Sequence, residues 1–193
     1  MKQELQQKLY EKYPKIFRQK DMSMQETAMC WGISCGDGWY NIIDNLCFHL
    51  QSLVDSPHEE IARYKLWIEK EKEKDDIDFN EDWMRRCRAN IENEKEKIIP
   101  QLEAVQVKEK FGTLRFYLSG YPANPIADAK IHAYINFAEN MSACTCEVCG
   151  SPGTQKGRSW ITTICEDCER IRDEERMNMI LDYQQLKLPF EEN

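Results

Sequence analysis

Apolar residues recur along this chain with two different periods, and the change from one to the other divides it. Leu5, Leu9 and Tyr13 share a face of residues 2–13, which predicts a short polar helix interrupted at Pro14. Residues 15–38 keep no period and read as an irregular stretch, in which Gly32, Gly36 and Gly38 mark tight turns. Trp39, Ile42, Ile43, Leu46, Cys47, Leu50, Leu53 and Val54 then fall at three- and four-residue spacing. That spacing predicts a strong amphipathic helix, with Asp37 or Gly38 near its start and Ser56-Pro57 at its end. Residues 59–74 and 81–98 predict two more helices, with stripes of Ile61, Tyr64, Trp67, Ile68 and of Met84, Cys87, Ile91, Ile98. Their remaining positions carry the runs EKEKEK and ENEKEK, which support exposed helix through i,i+4 ion pairs. The short acidic linker DDIDFN between them and Pro100 after them complete an antiparallel helical hairpin.

Beyond Pro100 the period drops to two. Val105 and Val107 alternate, as do Leu114, Phe116 and Leu118, with Gly112 between, and this is a β-hairpin. Asn124-Pro125 has the chemistry of a helix start, Asn as N-cap and Pro in the first turn. The helix it opens runs to about Met141, with Ala127, Ile131, Tyr134, Ile135, Ala138 and Met141 inward. A charged helix follows from about Glu169 to Gln185. The expected fold is α+β, with helices around a small antiparallel β-hairpin and a C-terminal zinc ribbon. The expected division is a body at 1–141 that includes the charged hairpin at 59–98, the ribbon at 142–168, and a helix and tail at 169–193.

No apolar run approaches the roughly 18 residues of a membrane span. The first residues, MKQELQQKLYEKYPKIF, lack the apolar core of a secretory signal. Nine cysteines, an odd number, fit an intracellular, reducing location better than a disulfide framework. The net charge of −8 disfavours sequence-independent binding to a nucleic-acid backbone and favours a protein partner.

Four of the cysteines carry the clearest chemistry. Cys146-Glu-Val-Cys149, fifteen residues, then Cys165-Glu-Asp-Cys168 is a zinc-site spacing. Each C-x-x-C turn holds two thiolates on one side of a tight loop, within about 2.3 Å of a common ion. Gly150 frees the backbone to turn, and TQKG with SWITTI predicts a short hairpin that brings the second pair opposite the first. Four thiolates leave no open position, so one Zn2+ held by Cys146, Cys149, Cys165 and Cys168 is structural and not catalytic.

Two other segments have candidate chemistry. Cys30, Cys35, Asp37, Trp39 and His49 lie close in sequence and contain the residue types of a nucleophilic site. The competing reading makes Gly36-Asp37-Gly38 a turn, Asp37 a helix cap and Cys35 a small packed hydrophobe. In the hairpin, burial of the apolar set puts Gln106, Lys108, Lys110, Arg115 and Tyr117 on the other face. Lys108, Lys110, Arg115 and Tyr117 form a small basic, aromatic patch suited to an acidic protein surface or to nucleic acid, and Arg158 and Trp160 can extend it.

The blocks CGDGWYNIIDNLC, VQVKEKFGTLRFY and AENMSACTCEVCGSPG followed by WITTICEDC resemble a family of small bacteriophage and prophage proteins of uncharacterised activity. The resemblance spans roughly residues 30–55 and 101–168, and the helical pair at 59–98 reads as an elaboration on it. It implies a phage accessory protein with a zinc ribbon and supplies no reaction. The expectation that follows is a zinc-stabilised binding protein that engages and modulates a host macromolecule, foremost a host protein, with counter-defence as one form of that role. A nucleic-acid-binding ribbon protein and an enzyme using the CGDGW region are the alternatives.

Overall fold

The computed structural model of the protein describes residues 1–74 and 80–186, with side chains to Tyr183. Helix α1 spans Gln3–Lys12, β1 Ile33–Ser34, α2 Tyr40–Lys72, α3 Glu81–Lys95, β2 Glu103–Lys110, β3 Thr113–Ser119, α4 Pro125–Ser142, β4 Thr154–Lys156, β5 Thr162–Ile164 and α5 Glu166–Leu186. The architecture is mixed, mostly helical with two small sheets, as the two periods predict.

The first difference from expectation is α2. Residues 40–72 form one helix where Ser56-Pro57 was expected to end it. Pro57 has no N–H for the Leu53 carbonyl, a loss that with ring crowding costs about 3 kcal/mol in a helix interior. Packing overrides it, because Leu50, Val54, Pro57 and Ile61 make one buried stripe through the proline. The first half of α2 enters the main core with Ile43, Leu46, Cys47 and Leu50. Its second half pairs with α3 around a separate cluster of Ile61, Ile68, Met84, Cys87 and Ile91. The arm at 59–98 thus has its own core. Buried Glu71 ties its far end, accepting from the Asn80 N–H at 2.8 Å and pairing with Lys74 at 2.7 Å. The Asn80 side chain caps α3 through the Trp83 N–H at 2.9 Å. Residues 75–79 of the DDIDFN linker lie outside the described residues. Ile98 falls beyond the end of α3 and is exposed, and its neighbour Ile99 is buried in the main core and not in the arm.

In the larger sheet β2 is central. It pairs antiparallel with β3 and parallel with β1, which lies in the stretch expected to be irregular. Phe111 and Gly112 form the two-residue turn between β2 and β3, both with positive φ (55° and 75°), the twist that suits a tight hairpin. Ala104 pairs with Leu118 and Gln106 with Tyr117, so Val105 is the extra residue of a bulge. It is therefore not on the core face as the simple alternation predicts, and its carbonyl accepts from Thr27 Oγ1 at 3.1 Å. Ala104, Val107, Leu114, Phe116 and Leu118 line the core.

Helix α4 is capped by Asn124, whose side chain accepts from the N–H groups of Ile126 (2.9 Å) and Ala127 (3.3 Å). It buries Ile131, Ile135 and Ala138. Met141 was expected inward but is exposed, and Ser142 turns in instead. Ser142 Oγ accepts from the Leu114 N–H at 2.8 Å, which satisfies a buried donor on the free edge of β3. Strands β4 and β5 pair antiparallel as a separate two-stranded sheet. Among the described residues, no helix is long and apolar enough to cross a membrane.

Candidate metal centre and its seat in the body

The first cysteine pair sits in a loop stapled by its own backbone. The Cys146 N–H donates to the Ser151 carbonyl at 2.7 Å and the Gly150 N–H to the Cys146 carbonyl at 2.9 Å. Gly150 takes φ 81°, which a residue with a side chain adopts only under strain. Strand β5 delivers the second pair. Its Thr163 carbonyl accepts from the Glu147 N–H at 2.9 Å, and Cys165 and Cys168 follow at the start of α5. The four Sγ atoms lie within 4.8 Å of one another, with Cys149 and Cys165 at 3.6 Å. A regular tetrahedron with 2.3 Å arms has edges of about 3.8 Å, so the cluster has the size and the donor set to hold one soft metal ion.

Hydrogen bonds from the Ser151 hydroxyl and N–H, then from Cys168 and Cys146, hold the Cys149 thiol down to about 6. Cys168 is pushed well up, first by its hydrogen bond to Cys149 and then by desolvation, because it keeps the proton that it donates. A cation bound by all four would favour the thiolate at every position.

The CGDGW segment is the seat of this cluster. The Gly38 N–H donates to the Glu147 carbonyl at 2.8 Å, and the Gly36 N–H to Glu147 Oε1 at 2.8 Å. The buried Trp39 indole donates to the Thr145 carbonyl at 2.8 Å. A Cβ on Gly36 would overlap the Glu147 backbone, and one on Gly38 would overlap the Cys146 carbonyl oxygen and the Gly150 nitrogen. Both glycines are thus explained by close approach of the Cys146–Gly150 loop. Burial of Glu147 pushes its carboxyl up, against the Gly36 hydrogen bond. On the other side, Thr163 Oγ1 donates to the Gly112 carbonyl, and Gln155 Nε2 reaches the Phe111 carbonyl at 3.5 Å.

The nucleophile constellation is not brought together. Cys35 is buried and its thiol is pushed up to about 12 by desolvation, the reverse of nucleophile activation. Asp37 makes no side-chain cap. Its carboxylate accepts from the Lys2 N–H at 2.7 Å, pairs with the Lys2 ammonium at 3.4 Å, and is held below its ordinary range by those contacts. His49 stacks on Tyr134, with ring centroids 5.1 Å apart.

The register puts Gln106, Lys108, Lys110, Arg115 and Tyr117 on the outer face of the sheet. Lys108 Nζ stands 5.7 Å from the Tyr117 ring centroid. Arg115 turns away, to Glu139 (3.4 Å), Thr113 Oγ1 (2.6 Å) and the Leu114 carbonyl (2.7 Å), so its charge is partly neutralised. Arg158 and Trp160 are exposed in the β4–β5 loop. That loop meets the hairpin turn, since a Cβ on Gly112 would lie 2.9 Å from Ile161 Cγ2. The turn itself adds Phe111, exposed and with Lys110 Nζ 5.3 Å from its ring centroid. Phe111 is absent from the sequence-based patch, although an aromatic residue at a hairpin turn was a visible signal for it. No protein-family model matches this chain, and neither a curated protein nor a solved structure matches it.

Proposed function

We propose that Cys146, Cys149, Cys165 and Cys168 hold one structural zinc ion in a zinc ribbon, and that the protein is a phage-derived binding protein. It engages and modulates a host macromolecule, a host protein, as a counter-defence factor would, in the cytoplasm of the bacterial host. The observation that carries this reading is the junction of hairpin turn and β4–β5 loop, where Phe111 stands exposed beside Lys110 and the loop carries exposed Trp160 and Arg158, with Tyr117 and Lys108 further along the outer face of the same hairpin. Exposed aromatic residues beside an arginine match the composition of protein-interface hot spots, and the flanking lysines suit a partner surface with acidic groups. The four-thiolate donor set supports zinc, because it satisfies a tetrahedral ion completely and leaves no site for substrate.

The test compares capture from bacterial lysate by the zinc-loaded protein and by a K108E/K110E/W160A variant of equal stability. A partner lost with the variant supports the reading; partners retained equally by both refute it. A second reading, single-stranded nucleic acid, draws on the Lys108–Tyr117 pairing, which resembles a base-stacking platform with a flanking cation. It predicts a low-salt gel shift that weakens steeply as salt rises, and no shift at low salt removes it.

A further inference from the structure

The four clustered thiols are not equally accessible. Cys146 is fully buried, Cys165 and Cys168 are half-buried, and Cys149 is exposed. Cys149 lies in a run, Val148 to Pro152, in which every residue is exposed, so the cluster opens to solvent at this position. Cys149 Sγ stands 3.6 Å from Cys165 Sγ, and Cys165 belongs to a different segment, the join of β5 and α5. An exposed thiol with a second thiol at contact distance is the arrangement of a cysteine that is oxidised and then resolved into a disulfide.

The thiols outside the cluster differ. Cys35, Cys47 and Cys87 are buried. Cys144 is exposed, but its sulfur turns to the Met141 carbonyl at 3.3 Å. The surroundings of the cluster also select the reactant. Three of the four residues inside the two C-x-x-C turns are acidic: Glu147, Glu166 and Asp167. Glu166 and Asp167 are exposed, Asp167 beside Arg170 at 3.0 Å. Carboxylates around the thiols disfavour an anionic oxidant and leave an uncharged peroxide unaffected.

We infer that Cys149 is a redox modification site whose reactant is an uncharged peroxide, and that its conversion to a Cys149–Cys165 disulfide releases the metal ion. The inference deepens the proposed function and rests on its zinc reading. With hydrogen peroxide, the Cys149 thiolate attacks one oxygen, the O–O bond breaks, and a sulfenic acid and a hydroxide form. The Cys165 thiolate then attacks the sulfenic sulfur, the S–O bond breaks, and a second hydroxide leaves. Each sulfur has lost one electron and the peroxide has gained two. The sulfurs close from 3.6 Å to the about 2.0 Å of a disulfide. The ion keeps only Cys146 and Cys168, two ligands where tetrahedral zinc takes four, and departs as those thiolates take up protons. The new bond spans the base of the β4–β5 hairpin, so a peroxide acts on the loop that carries Trp160.

The test treats the full zinc-loaded chain with hydrogen peroxide in the absence of reductant. A chromogenic chelator reads released zinc, and peptide mapping locates the disulfide. Zinc release together with a Cys149–Cys165 link is expected, and a dithiol reductant with added zinc should restore the loaded form. C149H keeps a nitrogen ligand for zinc but no sulfur to oxidise, and should lose zinc at least about tenfold more slowly. C144S removes the exposed thiol outside the cluster and should behave as the wild type does. A link within either C-x-x-C pair, release from C149H at the wild-type rate, or loss of release in C144S overturns the inference. The wild-type map decides by itself should C149H fail to load. Native mass spectrometry of the untreated chain separates the two failures. Absence of zinc defeats the zinc reading and this inference with it, whereas bound zinc that peroxide does not release defeats this inference alone.

Discussion

Replacing Gly38 by alanine tests whether the Cys146–Gly150 loop is part of the body or an appendage to it. The added methyl would lie 2.8 Å from the Glu147 carbonyl oxygen and closer still to the Cys146 oxygen and Gly150 nitrogen, where ordinary contact begins at about 3.4 Å. All three are backbone atoms, so no rotamer relieves the overlap and the loop must back away. Overpacking of this kind costs about 1–3 kcal/mol. Retreat also breaks the Gly38–Glu147 hydrogen bond and weakens that of Trp39 to Thr145, each worth about 1 kcal/mol net. The alanine restricts the unfolded chain and returns up to about 1 kcal/mol. The net loss is about 2–4 kcal/mol, which for a chain of this size lowers Tm by about 4–16 °C. Urea denaturation of the zinc-loaded protein measures it, with S159A in the exposed β4–β5 loop as the silent control. Because the same movement disturbs Cys146 and Cys149, G38A should also release metal faster to a chromogenic chelator. A loss below about 1 kcal/mol together with unchanged release would show that the loop does not rest on Gly38, and the reasoning would fail.

Chelation should unfold the C-terminal segment and destabilise the body with it. At a zinc concentration a thousandfold above Kd the linked stabilisation is about 4 kcal/mol, and an EDTA-insensitive melting curve would refute the coupling. S142A leaves the buried Leu114 N–H without an acceptor and should cost about 1–3 kcal/mol in chemical denaturation; a neutral result would mean that another acceptor serves that donor. M84A removes a buried side chain from the separate core of the arm and should raise hydrogen exchange there selectively. Equal acceleration in α4 would show a single cooperative unit. The Arg18 guanidinium, at 2.6 and 2.9 Å, holds the Glu103 carboxyl below its ordinary value of about 4.3. The folded state therefore binds that proton less readily than the unfolded one. The resulting stabilisation is complete above that ordinary value and is lost as pH falls through the depressed one. E103Q should flatten this part of the acid limb, and identical limbs in the two proteins would refute the assignment.

How much of this was legible in the sequence depended on whether a residue's role is local. The four cysteines, the Asn124 cap, the outward set of β2–β3 and the β4–β5 hairpin follow from spacing within short segments, and the structure brings each together as that spacing predicts. Pro57 failed because a local rule met a buried stripe that continues across it. Val105 failed because alternation does not announce a bulge. β1 failed because two residues carry no period, and its pairing partner lies more than seventy residues away.

The CGDGW segment is the most instructive miss. Read locally, its glycines are a turn and its Cys, Asp and His a faint catalytic set. In the fold, Gly36 and Gly38 are bare backbone because the Cys146–Gly150 loop lies on them. Only the long-range contact explains both glycines at once. It also changes what the metal does. The loop held by the four thiols rests on CGDGW on one side and on the Phe111-Gly112 turn, through Thr163, on the other. A metal ion held by the four thiols would therefore set the position of the β4–β5 loop relative to the hairpin turn. If recognition uses Trp160 together with Phe111, the ion controls affinity from a distance, by fixing the spacing of two aromatic anchors while touching neither.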